Sequence, residues 1–105
     1  MTSLLARDHN LTLHTEQDAL DVISSGLPGC IFVPADLHPE FFDLANQIAG
    51  NVLQKFVNYH FRVAIVVPST ADYGLRVEEL IRDHRTHPYV RFVASEAEAL
   101  KWLTG

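Results

Sequence analysis

Two loops in this chain gather side chains that could do chemistry. Asp36 and His38 stand in Pro34-Ala35-Asp36-Leu37-His38, straight after the apolar run Cys30 to Val33. Ser69, Thr70, Asp72 and Tyr73 stand in Pro68-Ser69-Thr70-Ala71-Asp72-Tyr73, after the apolar run that ends at Val67. A carboxylate beside an imidazole can form an acid–base pair, with the hydroxyls of the second loop facing it. The same residues also have a structural reading: Asp36 as a turn former, His38 as the residue before a helix opening at Pro39, and Ser69 or Thr70 as the cap of the next helix. Helix N-termini bind anions unaided, so a small anionic ligand fits these loops with or without catalysis. Phosphorylation of Ser69 or Thr70 is a third use of the same place.

Other reactive groups are sparse. His84 and His87, with Asp83, have a spacing that a metal site can use, but a third ligand is missing. A cation-favouring helix C-terminus accounts for His84 equally well, and no metal or cofactor is expected. Cys30 is the single cysteine; it excludes an internal disulfide and a multi-cysteine zinc site, and it opens an apolar run where a buried thiol is expected. No Gly-rich phosphate loop, nucleophile elbow or metal-hydrolase motif occurs. The expected function is therefore a non-catalytic protein-interaction or small-ligand-binding module. The alternative is a small enzyme or metabolite binder at the two loops.

A different surface comes from the row Asp43, Gln47, Asn51, Gln54, Lys55 and Asn58. These lie on one side of a predicted helix from Pro39 to His60, opposite the apolar rows Phe41, Leu44, Ile48, Val52, Phe56, Tyr59 and Phe42, Ala45, Ala49, Leu53. A merely wet face needs only Lys and Glu. This one is rich in amides, which hydrogen-bond without charge, and is a candidate interface for a second copy of the chain or another protein. Unbroken, some 20 residues of helix would reach about 30 Å. Gly50 is therefore expected to break the helix or to admit a neighbouring backbone.

The elements that must position these groups follow from periodicity. Ser3 to Ala6 and Leu11 to His14 alternate around Asp8-His9-Asn10 and predict an N-terminal hairpin. Thr15 and Asp18 form a capping box for a helix through Leu20 and Ile23 that Gly26 and Pro28-Gly29 end. Cys30 to Val33, Arg62 to Val67 and Val90 to Val93 read as strands. Tyr73 to His84 reads as a helix, and Ser95 with Glu98 caps a last one through Trp102 and Leu103. Strands alternating with helices predict an α/β fold: a mostly parallel sheet of four to five strands, with the N-terminal hairpin and flanking crossover helices.

All 105 residues are expected to form one domain. Eight Lys plus Arg against thirteen Asp plus Glu give a formal charge of −5, which opposes nucleic-acid binding. No apolar run approaches the roughly 20 residues that span a bilayer. With no secretory signal read at the N-terminus, a cytoplasmic location is expected.

Two family resemblances rest on these segments. Phe41-Phe42-Asp43-Leu44, Ala49-Gly50, Leu53-Gln54-Lys55-Phe56-Val57-Asn58-Tyr59, Arg62 and Ala64-Ile65-Val66 resemble DUF4180, an uncharacterised bacterial domain of unknown function. Val67-Pro68 stands where that pattern has Gly-Asp, so no role tied to that loop carries over. More distantly, Arg62 to Val67, Val90 to Val93 and Glu98-Ala99-Leu100-Lys101-Trp102-Leu103 are similar to the last part of SpoIIAA-like (STAS-type) domains. That likeness implies a βα architecture and capture of protein partners or small ligands. The serine of the STAS phosphoswitch has no counterpart here.

Overall fold

The computed structural model describes residues 3–38, 41, 48–68, 75–84 and 86–104. Three strands, β1 (Gly29–Phe32), β2 (Arg62–Val66) and β3 (Val90–Val93), form one sheet in the order β1-β2-β3. Both pairings are parallel, with Ile31 opposite Ala64 and Ile65 opposite Phe92. Parallel neighbours need long crossovers, and the chain supplies them through α2 (Ile48–Asn58) and α3 (Leu75–Asp83). The helices α1 (Glu16–Ile23) and α4 (Glu96–Thr104) precede and follow the sheet.

Side-chain alternation along the strands sorts the interior into two layers. Cys30, Phe32, Val63, Ile65, Val90 and Phe92 face a core completed by Ala19 and Val22 of α1 and Val52, Leu53 and Phe56 of α2. Ile31, Ala64 and Val66 face the opposite side, against Ala99, Trp102 and Leu103 of α4 and Leu4 of the N-terminal arm. This double cover is why β1 and most of β2 read as unbroken apolar runs. Gly29 matters for the second layer: a Cβ there would stand 2.9 Å from Leu103 Cδ2 and 3.1 Å from the Arg62 carbonyl oxygen. Its bare backbone lets the last turn of α4 settle onto the sheet.

Local signals set the helix ends. Thr15 Oγ1 accepts from the Asp18 N–H while Asp18 Oδ2 accepts from the Thr15 and His14 N–H groups, a full capping box. At α4, Ser95 Oγ accepts from the Glu98 N–H, and Glu98 Oε2 reaches back one residue further than usual, to the Ala94 N–H. His60, at φ 54°, takes the left-handed position after α2, and the Phe61 N–H donates to the Phe56 carbonyl.

Three expectations are corrected. The sheet has three strands among the described residues, not four or five. The N-terminal hairpin is absent: Ala6–His9 is a 3-10 turn, and the two alternating runs never pair with each other. Leu5 instead bridges Ile31 and Leu13 bridges Leu37, both in parallel sense. The alternation marked residues that are buried, Leu4, Ala6 and Leu13. However, Asn10 at φ 56° and the Ser3–Asp8 and His9–Ser3 hydrogen bonds fold the intervening chain into a compact loop.

Gly50 neither breaks α2 nor meets a neighbour. The helix runs through it, and a Cβ there would have nothing within 4 Å. Its cost, roughly 1 kcal/mol relative to alanine, is simply carried by the burial of Ala49, Val52, Leu53 and Phe56 around it.

Candidate functional site

Of the two loops at the carboxyl ends of the strands, the first is described and the second is not. Asp36 is 7% exposed and closes a 3-10 turn, Pro34–Asp36. Its Oδ2 accepts from the Val33 N–H at 3.0 Å, and its backbone accepts from the Leu13 N–H. His38 donates its N–H to the Leu13 carbonyl, and its ring lies flat on that of His14, with centroids 3.6 Å apart and planes 11° from parallel. The carboxylate thus clasps a turn, and the imidazole stacks on a second imidazole. Ser69, Thr70, Asp72 and Tyr73 lie outside the described residues. The Cys30 thiol is fully buried, and loss of hydration pushes its pKa up to about 12, so it is held as a neutral thiol rather than a nucleophile.

The amide row is described from Asn51 onward, Asp43 and Gln47 lying outside the described residues. Asn51, Gln54 and Asn58 are exposed along α2, and Gln54 Nε2 donates to Asn58 Oδ1 at 2.8 Å. Lys55 turns toward α1, with Nζ 3.6 Å from Glu16 Oε1. Tyr59, just past the helix end, is 59% exposed.

A third place has no signature in the sequence. Trp102, in the last turn of α4, lies beside two guanidinium groups, with Arg62 Cζ 4.8 Å and Arg91 Cζ 4.7 Å from its ring centroid. Arg62 donates to the carbonyls of Trp102 and Leu103, capping α4. Arg91 Nε donates to the His87 carbonyl at 2.8 Å. Lys101 and Glu98 complete the same open depression. No signal in the sequence points here, because the two arginines sit 29 positions apart and only parallel pairing of β2 and β3 makes them neighbours on one sheet face.

Comparison with known proteins places the chain. A family model described as a domain of unknown function, DUF4180, matches residues 2–103. The chain belongs to the DUF4180 family. No curated protein and no solved structure matches it.

Within this DUF4180 domain, no group of three or more His, Cys, Asp or Glu side chains able to hold a metal occurs among the described residues. No described helix is long and apolar enough to cross a membrane. His84 Nδ1 lies 2.8 Å from the Leu80 carbonyl, an arrangement in which the ring donates. His87 does the reverse. Its Nδ1 accepts from the N–H groups of both Tyr89 and Val90, which requires the neutral imidazole on that side.

Burial, then the nearby His84 and Arg91, lowers the His87 pKa. Below about pH 6.5 the unfolded chain takes up a proton at His87 that the folded one refuses. This contribution to stability is therefore complete above that pH and lost as the pH falls toward the folded pKa. His87→Asn keeps an acceptor without titrating, so the drop in urea midpoint from about pH 7.5 to about pH 5.5 should be smaller in the variant than in the parent. Equal drops would show that His87 does not titrate against folding.

Proposed function

We propose that this DUF4180 domain works by binding rather than by catalysis, as a small cytoplasmic interaction module of the regulatory, STAS-like kind. Its contact face is the outer side of α2. The observation that carries this reading is the set of exposed amides Asn51, Gln54 and Asn58 along α2, followed just past the helix end by Tyr59, which is 59% exposed and not buried with the apolar row where helical spacing puts it. An exposed tyrosine beside uncharged hydrogen-bonding groups is the composition that protein interfaces favour, whereas Lys and Glu are depleted there. The hold of the Asp36 carboxylate on the Val33 N–H supports binding over acid–base chemistry. A lone buried thiol suits a reducing compartment.

The first partner to test is a second copy of the chain. Gln54→Ala combined with Tyr59→Ala should weaken self-association or partner capture by about tenfold or more, as loss of a tyrosine hot spot does. Melting temperature should stay nearly constant, because both side chains are exposed. Light scattering across a concentration series, with pull-down from the native cell, reads both effects. Unchanged mass together with unchanged capture would reject this face.

A further inference from the structure

The cation–indole cluster lies away from the α2 face and has a different chemistry. Arg62 and Arg91 project from neighbouring strands onto the side of the sheet that α4 covers, and both guanidinium groups lie within 5 Å of the Trp102 ring centroid. Each makes hydrogen bonds to backbone carbonyls alone: Arg62 to Trp102 and Leu103, Arg91 to His87 and Thr86. Among the described residues neither has a carboxylate within ion-pair distance, although the whole chain carries a formal charge of −5. An acidic protein has ample carboxylates to neutralise two adjacent arginines, and among the described residues none is placed to do so.

The surroundings are open to solvent on the α4 side of the sheet. Two adjoining depressions, about 370 Å³ and about 550 Å³, share Arg91, Glu98 and Trp102. Arg62 and Lys101 line the larger one, while the smaller runs to Val67 and Ala94 at the carboxyl ends of β2 and β3. These are dimensions that hold a small organic molecule. Three cations against the one carboxylate of Glu98 leave a surplus of two positive charges, and Glu98 Oε2 is already taken by the Ala94 N–H.

We infer that Arg62, Arg91 and Lys101, gathered around Trp102, form a binding site for a phosphate monoester dianion. A guanidinium carries five N–H donors. Beyond the bonds to backbone carbonyls, Arg62 Nε and Arg91 Nη1 remain to meet phosphate oxygens, and a monoester carries close to two negative charges at neutral pH. The indole holds the guanidinium groups in place through its ring face, and Arg62 is fixed further by its bonds to the end of α4. Val93, on the same sheet face as Arg91 and lining the smaller depression, would take the carbon skeleton of the ester.

Trp102 is the single tryptophan, so its emission reads this site directly. The protein is titrated at constant ionic strength with glycerol 3-phosphate, with a phosphoserine peptide, and with glycerol and acetate as controls. A saturable change with either phosphate monoester and none with the controls is expected. Glycerol 3-phosphate binding identifies a free metabolite, and response to the peptide alone identifies protein-borne phosphate. Arg91→Gln should weaken binding about tenfold or more, the worth of a charge-assisted hydrogen bond.

Because Arg91 also ties down the His87 loop, Lys101→Gln serves as the second variant. Its side chain is exposed, so it should weaken binding while leaving the melting temperature alone. Arg7→Gln, at an exposed ion pair with Glu96 outside the site, should bind as the parent does. No saturable response, an equal response to acetate, or unchanged affinity in both Arg91→Gln and Lys101→Gln would overturn the inference. None of these outcomes depends on the α2 face, whose test reads mass and partner capture.

Discussion

Phe56→Ala should lower the unfolding free energy by about 3–5 kcal/mol, the usual loss for removing a buried aromatic ring. Phe56 is wholly inaccessible to solvent and sits near the end of α2, where its ring lies 5.8 Å from that of Phe61. It ties the helix to the residue that leads into β2, so a cavity there loosens both the crossover and the central strand. A domain of this size has only about 5–15 kcal/mol in hand, and the variant should be marginal at physiological temperature. Urea unfolding followed by circular dichroism measures this directly. A loss under about 1 kcal/mol, the size of an ordinary surface change, would mean that α2 does not rest on the sheet as described.

Asp36→Ala should cost about 1–3 kcal/mol, because the partly buried Val33 N–H loses the acceptor supplied by a carboxylate that is 7% exposed. Asp36→Asn keeps an oxygen in the same place and should recover most of the loss. The pair separates two roles for this carboxylate. If Asp36 acts only as the clasp of the 3-10 turn, the asparagine variant should melt close to the parent and behave like it in every binding assay. Should Ala and Asn prove equally destabilising, the charge rather than the hydrogen bond would be what the turn needs, and the structural account of Asp36 would fail.

Much of the architecture was legible because it rests on short-range physics. The Thr15–Asp18 capping box and the Val90–Val93 strand involve residues within a few positions of one another and are present as read. The box expected of Ser95 and Glu98 is present in half, with Glu98 closing on the Ala94 N–H instead of that of Ser95. Burial at Leu4, Ala6 and Leu13 was legible too, but the partner was not. Alternation says that a side chain is hidden, not which strand hides it, and so the hairpin was inferred where Leu5 and Leu13 instead reach Ile31 and Leu37. Gly50 misled for a related reason. Its conformational cost is a local quantity, whereas the packing that offsets it comes from residues on the opposite side of the helix.

The candidate loops divide along the same line. Asp36 reads in the sequence as either a turn residue or half of an acid–base pair, and only the placement of the Val33 N–H commits it to the turn. His38 was paired with Asp36 by proximity in the chain, yet its ring found His14, brought near by the bridge between Leu13 and Leu37.

By itself, the sequence determined the class of fold, the membership of the DUF4180 family and the uncharged outer face of α2, since each is written in neighbouring residues or in helical spacing. Tertiary structure alone decided that Arg62, Arg91 and Trp102 share one surface. The register that sets Ala64 opposite Arg91, and the glycine at position 29 that lets α4 settle so closely, together bring distant charges around one indole. Such a meeting leaves no periodic trace, because it is a property of strand pairing between segments that are far apart along the chain.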